Sequence, residues 1–404
     1  MPLKVISIYS GMGGLDFGFE AAGLETRVAL DLDPIACRTL RLNRPWPVLE
    51  GDIAAISSEA ILGTAQLSPG ETDVLIGGPP CQPFSKSGYW ASGDAKRLND
   101  PRAGTLGQYL RILRDARPRT FLLENVLGLA YAGKSEGLEF IRRGVDAINA
   151  DLGTRYTLNV QAVNAADYGI PQLRERIVIV GSRDGVAFKF PSPTHAPAGT
   201  NLKLQLEPYR TTWDALGDLP ERSTDPSLRI TGKWADLLPS VPEGKNYLWH
   251  TPRGGGAPLF GWRTRYWNFL LKLAKDQPSW TIQAQPGPAT GPFHWTSRKL
   301  SAAELGRLQT FPDNLRYDCS RADIQRLVGN AVPSALAEAI ARQIRRQLLD
   351  GIEIEGALTL IPPARQAPSA ETISPVPRRY LQFAGDHADH PGTGKGRRAV
   401  RQAA

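Results

Sequence analysis

The sequence predicts an α/β protein: a doubly wound domain, with a second, smaller and irregular domain placed before its last helices. Three observations carry that prediction. Residues 4–185 alternate strand-like with helix-like segments, the pattern of a parallel sheet covered by helices on both faces. A glycine turn, Ser10-Gly11-Met12-Gly13-Gly14, separates the first apolar run from the first amphipathic one, and Asp31 follows Gly11 by 20 residues. Near Phe190 the chain turns rich in Pro, Gly and Trp and stays so to about Thr296.

Taken in order, residues 4–9 read as a strand and 14–22 as a helix with Leu15, Phe19 and Ala22 on one face. Residues 26–30 form a second strand, and 34–42 a helix with Pro34 in its first turn. Residues 74–76, 121–123 and 177–181 are short apolar runs suited to buried parallel strands. Between them, 106–116 and 138–151 are amphipathic. Helical periodicity returns at 301–309 and 334–349. The expected organisation is a catalytic and ligand-binding domain at 1–187, an irregular domain at 188–300, and a return to the first domain at 301–350. Residues 351–404, rich in Pro, Ala and Arg, are expected to be a mobile tail in which 380–383 can dock locally.

The chain has 404 residues, 41% of them hydrophobic and 22% charged, ordinary values for a soluble protein. Its longest apolar runs are strand-length, far short of the roughly 20 residues that span a bilayer. The amino terminus runs directly into a strand pattern rather than a signal peptide. The expectation is a cytoplasmic protein with no membrane partner. Cys37, Cys81 and Cys319 form neither a disulfide framework nor zinc-ligand spacing, and His387-x-x-His390 reads as a solvated tail, so no metal is expected. The net charge is +8. Within 189–299 there are 14 Lys+Arg against 8 Asp+Glu, together with seven of the nine tryptophans. Basic residues among aromatics suit a nucleic-acid surface, and a small domain with an aromatic core explains many of the tryptophans equally well.

Five motifs carry chemistry. The glycine turn lets a ligand approach backbone at a helix N-terminus, and Asp31 is placed to accept from ribose hydroxyls. Asp52, in Gly51-Asp52-Ile53, can accept from an adenine amino group. These features fit an adenosyl group without separating a dinucleotide from other carriers. Gly77-Gly78-Pro79-Pro80-Cys81-Gln82-Pro83-Phe84-Ser85 follows a strand directly and sets a cysteine on a stiff, polar loop at the edge where such sheets bind ligands. Glu124-Asn125-Val126 follows another strand and would face the same cleft. Gln172-Leu173-Arg174-Glu175-Arg176 puts two arginines on one face of extended chain. Gly329-Asn330-Ala331-Val332-Pro333 opens the last long helix.

In this order, with Asp100-Pro101-Arg102-Ala103-Gly104-Thr105-Leu106 and the stretches Arg298-Lys299-Leu300 and Gln309-Thr310-Phe311-Pro312, the motifs resemble the DNA (cytosine-5) methyltransferase family of the bacterial restriction-modification type. The resemblance covers about residues 4–348. It implies a Rossmann-like, S-adenosylmethionine-dependent methyltransferase domain, with the irregular region as a target recognition domain. Tyr9, Gly11, Gly13, Gly14, Leu15, Asp31, Asp52, Ile53, Pro80, Leu106, Asn330 and Val332 would surround S-adenosyl-L-methionine. Cys81 would be the nucleophile, Glu124 and Arg176 would hold the target cytosine with Arg174 beside them, and Ser85 and Gln82 would touch DNA. The implied partner is double-stranded DNA, a cognate restriction endonuclease would act separately, and the enzyme is expected to be monomeric and nucleoid-associated. Two positions depart from the pattern: Ser7 stands where aspartate is usual, and Tyr9 where phenylalanine is usual.

The implied chemistry makes demands on these residues. Cytosine C5 becomes nucleophilic only once a thiolate has added to C6, and a free thiol near pKa 8.5 is only about 3% thiolate at pH 7. Glu124 must carry or share a proton when it meets cytosine N3, because a charged carboxylate would both lack the donor and disfavour the thiolate. Arg176 would steady charge on O2. The base must also leave the stack, at a cost of about a few kcal/mol. Three other readings stay open at this point: an RNA or tRNA cytosine-5 methyltransferase, a catalytically inactive DNA-binding relative, and a dinucleotide oxidoreductase, which leaves Pro-Pro-Cys-Gln unexplained.

Overall fold

A computed structural model describes residues 2–80, 104–130, 136–200, 205–262, 266–385 and 387. The catalytic sheet is built from β1 (Leu3–Ile8), β2 (Leu24–Asp31), β3 (Val48–Glu50), β4 (Val74–Gly77), β5 (Thr120–Asn125), β6 (Asn159–Asn164) and β8 (Glu175–Ser182), with the two-residue β7 (Gln172–Leu173) just before β8. Its strand order is β3-β2-β1-β4-β5-β8-β6. The first five strands run parallel, with Ile8 opposite both Leu30 and Gly77. Their carboxyl ends therefore share one edge, where the glycine turn, Asp31, the Pro-Pro-Cys loop and Glu124 all begin.

Strand β8 differs from the expectation: it runs antiparallel to both β5 and β6. Residues 165–174 are the only link between β6 and β8, and they hold no helix beyond a single 3-10 turn. A parallel pair needs a crossover of about a dozen residues or more, whereas a short link permits a hairpin. Strand β6 itself, half-exposed and polar, carries too little apolar signal to be read from sequence.

Helices α1 (Gly14–Ala21), α2 (Pro34–Asn43), α3 (Ser58–Ala65), α4 (Gly104–Ala116) and α5 (Glu136–Leu152) cover the sheet. Helix α2 starts where Asp33 accepts from the Ile35 amide ahead of Pro34, and α3 where Ser57 accepts from Ala60, each satisfying an orphan donor of the first turn. The period-2 alternation of the strands splits the core. Ile6, Ile8, Leu75, Leu123 and Ile179 face α3, α4 and α5, and Val5, Ile76, Leu122 and Val180 face α1 and the last long helix.

The irregular region carries the small pairs β9 (His195–Ala196) with β10 (Glu207–Pro208), and β11 (Ser279–Trp280) with β7, together with the short helix α6 (Thr212–Leu216). Its aromatic core gathers Tyr247, Leu259, Leu270 and Phe293 around Trp234, Phe260 and Phe269. The chain then returns through α7 (Ala302–Leu308), α8 (Arg321–Asn330) and α9 (Ser334–Leu348). Helix α7 opens with a Ser301/Glu304 capping box. A further cluster joins Met12, Phe17 and Ala36 to Leu216, Ile282, Trp295, Leu305 and Val328, so the two regions are packed together.

Residues 351–385, expected to be mobile, are an extended strap ending in a short helix, α10 (Arg378–Leu381). Fully buried Glu338 of α9 accepts from the Thr359 amide and hydroxyl and from the Leu360 amide. At the far end Tyr380 is buried in the aromatic core, its ring stacked on Trp234 at 5.6 Å and its hydroxyl donating to the Lys233 carbonyl at 2.7 Å. The local docking expected of 380–383 is the part of that reading the structure keeps. The proline content that reads as disorder also restricts the unfolded chain, so an extended path loses less entropy on ordering.

Helix α1 meets α9 through two glycines. A Cβ on Gly14 would lie 2.3 Å from the Val332 carbonyl oxygen, and one on Gly18 2.3 Å from that of Ser334. In an exposed helix Gly→Ala stabilises by about 1 kcal/mol. Here the sign should invert: Gly18→Ala is expected to destabilise by about 1–3 kcal/mol through overpacking, read as a lower urea midpoint with an unchanged m-value.

Candidate active site

Between β1 and α1 the chain reverses through Tyr9, Gly11 and Gly13, all in the left-handed region at φ 54°, 54° and 90°. The glycines of the motif serve different ends. Gly11 has open space where a Cβ would project, leaving its backbone approachable at the sheet edge. Gly13 adopts a conformation costly for a side chain, and Gly14 lets α1 touch Val332. The Gly11 amide donates to Asp31 Oδ2 at 2.7 Å and the Asp33 amide to Oδ1 at 2.8 Å. Each carboxylate oxygen keeps a further lone pair for a ligand. Burial raises the Asp31 pKa, against the pull of those two amides.

Leu32, which the sequence reading passed over, stands 65% exposed between Asp31 and Asp33. An apolar side chain held in water at this edge offers a face to a flat ligand. Asp52 and Asn330 are exposed nearby in the chain's motifs, whereas Leu15, Ile53, Leu106 and Val332 are more than nine-tenths buried. Those four back the turn from the core. An open glycine cradle, carboxylates with spare acceptor sites and an exposed apolar face together suit an adenosyl group. Among the described residues, no group of three or more His, Cys, Asp or Glu is placed to hold a metal.

The Ser7 position also resolves. Its hydroxyl lies 2.9 Å from that of Ser10 and donates to Asp16 Oδ2 at 3.0 Å, while Thr26 donates to Asp16 Oδ1. Asp16 is fully buried, and that burial pushes its pKa up to about 6, against the hydrogen bonds from Ser7 and Thr26.

At the neighbouring strand ends, Glu124 is the penultimate residue of β5, and its Oε1 lies 2.7 Å from Arg176 Nε. Burial raises the Glu124 pKa, opposed by Arg176 and then Arg174. A Cβ on Gly78 would lie 3.1 Å from Glu124 Oε2, so the chain passes close to the carboxyl as it leaves β4 toward Pro79 and Pro80. Two further residues hold that exit. Asn125 Nδ2 donates to the Pro79 carbonyl at 3.1 Å, and the Thr105 hydroxyl donates to the Pro80 carbonyl at 3.2 Å. The Thr105 carbonyl accepts from the Tyr9 hydroxyl at 2.8 Å. The tyrosine that replaces the usual phenylalanine thereby links the glycine turn to the loop carrying the cysteine. Cys81, Gln82 and Ser85 lie outside the described residues.

Arg174 is fully buried and donates through Nη2 to the carbonyls of Gly329 and Ala331, at 2.9 and 2.8 Å. Its Nε and Nη1 have no hydrogen-bond partner among the described residues. Gln172 Nε2 donates to Leu308 O and Gln309 Oε1, and Gln309 Nε2 donates to Val328 O. Arg298 grips Glu304 with two nitrogens, at 2.8 and 2.6 Å. The sequence places Gln172, Gln309 and Arg298 in motifs but shows no role for them: the two glutamines brace segments far apart in the chain, and Arg298 also donates to the distant Glu221 carbonyl at 3.1 and 2.9 Å. On the irregular domain, Tyr266 and Trp267 are 50% and 44% exposed. Trp267 meets Trp280 edge-on at 5.5 Å, and Trp280 pairs with Leu173, the residue before Arg174.

Residues 3–346 match the model of the C-5 cytosine-specific DNA methylase family. The chain is 39% identical to the type II methyltransferase M.SacI of Streptomyces achromogenes, over 86% of this chain and 93% of that protein. It is 32% identical to M.NgoFVII of Neisseria gonorrhoeae, over 87% and 88%. The solved structure of the Entamoeba histolytica methyltransferase EhMeth shares the fold, with a TM-score of 0.56 at 18% identity, covering 87% of this chain and 99% of that one.

The buried Asp16 generates a pH prediction. Its folded pKa, about 6, exceeds the ordinary 3.8, so the folded state binds the proton more tightly and stability falls as pH rises through that window. Relative to the parent, Asp16→Asn should gain stability progressively between about pH 4 and 6, with a constant difference above. Urea titrations at pH 4, 5, 6 and 7.5 check this. A difference that does not change with pH would show that Asp16 is not buried as an acid.

Proposed function

The chain belongs to the C-5 cytosine-specific DNA methylase family, and from that premise we propose how its own residues carry the reaction. The enzyme transfers a methyl group from S-adenosylmethionine to C5 of cytosine in DNA. When bound, S-adenosylmethionine supplies the electrophilic methyl. The residues that would hold it are Leu32 and Tyr9 against the adenine, Asp31 and Asp52 as acceptors, and the Gly11 turn and Asn330 around the remainder.

The observation that carries the catalytic reading is the Glu124–Arg176 pair, 2.7 Å apart at the strand edge where Gly78, three residues before Cys81 in the chain, passes the carboxyl. Glu124, with its pKa raised by burial, donates to cytosine N3. The Cys81 thiolate adds to C6, and electron density moves toward C5. C5 takes the methyl as the sulfonium C–S bond breaks. Loss of the C5 proton to a base then expels Cys81 and restores the ring. Arg176, released from part of its contact with Glu124, faces O2. Arg174, held by two backbone carbonyls, is a positioning residue that ties the pocket to the Gly329–Ala331 segment.

The substrate is a specific double-stranded sequence read by the region around 188–300. That reading is supported by its net positive charge and by the exposed Tyr266 and Trp267, an aromatic pair of the kind that stacks on bases. We place the enzyme in host-DNA protection beside a restriction endonuclease, on the likeness to type II methyltransferases.

The deciding experiment offers tritiated S-adenosylmethionine with duplex DNA and, separately, with tRNA. Label in duplex cytosine is expected, and label confined to tRNA overturns the reading. Cys81→Ser should abolish transfer and form no covalent adduct on 5-fluorocytosine duplex. Glu124→Gln should slow transfer by about 10²–10⁴ with cofactor affinity nearly unchanged. In the parent, turnover should fall as pH rises through the raised Glu124 pKa, and the glutamine variant should lose that limb. A parent-like pH profile in Glu124→Gln removes Glu124 from the acid role.

A further inference from the structure

The family match ends at residue 346, yet the strap beyond it is tied at every stage of its path. Near its start, Arg342 of α9 donates to the carbonyls of Gly356 and Ala357, and Glu338 takes Thr359 and Leu360. Midway, the Arg365 amide donates to Asp214 Oδ1 at 2.5 Å, and its guanidinium reaches Asp218. Further on, the Glu371 amide donates to Glu243 Oε1 at 2.8 Å, and the Glu371 carboxylate takes buried Lys275 at 2.7 Å. Tyr380 then enters the aromatic core of the irregular domain beside Trp234. The first anchors lie on the catalytic helix α9 and all the later ones on the 188–300 region.

Most strap side chains between these anchors are exposed. The strap therefore builds little core of its own, and ordering it costs conformational entropy at every residue. Its contacts act where they attach. The 188–300 region is otherwise joined to the catalytic domain by two chain crossings, near 188–194 and 296–301. The apolar cluster of Met12, Phe17, Leu216, Ile282 and Trp295 and the β11–β7 pair also hold the two regions together, and the strap adds a third, independent chain crossing to that contact.

We infer that the strap is a third tether holding the recognition domain at a fixed angle over the catalytic edge, with Tyr380 and Glu371 as positioning residues for DNA binding and target choice. This rests on the reading of 188–300 as the DNA-recognition region. The cofactor edge lies wholly on the catalytic sheet and its return helices, so it does not depend on the strap.

The test uses full-length Tyr380→Ala, Tyr380→Phe and Glu371→Gln. For each, the Kd for cognate duplex, the ratio of methylation at cognate to single-mismatch sites, and the Kd for S-adenosylmethionine are measured. Tyr380→Ala should weaken duplex binding at least tenfold and lower the discrimination ratio, with the cofactor Kd within twofold of the parent. Tyr380→Phe keeps the ring and should stay within threefold of the parent throughout. Glu371→Gln should fall between them. Tyr380→Ala with parental duplex affinity and discrimination overturns the inference. So does an equal loss of cofactor binding, which would make Tyr380 a general stability residue. If the parent binds duplex but methylates no cytosine, the proposed activity fails while the duplex Kd values still decide the tether.

Discussion

Two carbonyl oxygens set the limits of this fold. Val332 O and Ser334 O stand where a Cβ on Gly14 or Gly18 would be, so the helix after the glycine turn and the last long helix touch backbone to backbone. Because of that contact, the wall of the first-turn pocket comes from the far end of the family's sequence. It needs support from the side, and Arg174, Gln172 and Gln309 supply it. They place charged or amide nitrogens on the carbonyls of Leu308, Val328, Gly329 and Ala331. A bidentate amide and a buried guanidinium are costly groups to bring out of water unless they are hydrogen-bonded. Their burial here fixes the return segment in one register.

The same economy governs the pocket. Glu124 and Arg176 are both nearly buried and oppose each other's shifts: burial raises the acid and lowers the base, while their mutual attraction works against both. Burial thus favours the protonated Glu124 that the cysteine chemistry requires, while the Arg176 guanidinium beside it opposes that shift. Arg174 leaves two nitrogens without partners among the described residues. That is tolerable only because its charge also faces Glu124 and its third nitrogen is doubly used.

Much of this was legible from sequence because strand ends and motifs coincide in a doubly wound sheet. Asp31 and Glu124 lie at the ends of apolar runs in parallel strands, which brings them to one edge, and Pro79-Pro80 leave β4 at that same edge; Arg176 precedes its apolar run and reaches the edge because β8 runs antiparallel. Two kinds of feature were hidden. The direction of β8 depends on the length of a connection, and an apolar run of five residues looks the same in either direction. The strap was misread because proline and exposed polar residues are shared by disordered tails and by extended segments held at a few anchors. Only Tyr380 and its neighbours carried a local signal. Thr105, Asn125 and Gln309 sat in plain view within motifs, but their work is to accept or donate across long sequence separations, which spacing alone does not reveal. Leu32 was missed for the opposite reason: an isolated surface leucine is ordinary, and it gains meaning only beside Asp31.

The position of Tyr380 in the chain has a consequence for the order in which the molecule matures. Synthesis proceeds from the amino terminus, so the sheet, the glycine turn and the Val332 contact are all available to a growing chain before Tyr380 has been made. The aromatic core around Trp234 lacks its last two rings, Tyr380 and Phe383, until the end of the strap is made. A nascent chain thus completes the sheet and the glycine turn first and the aromatic core of the 188–300 region last, and the ribosome's own timing separates the two.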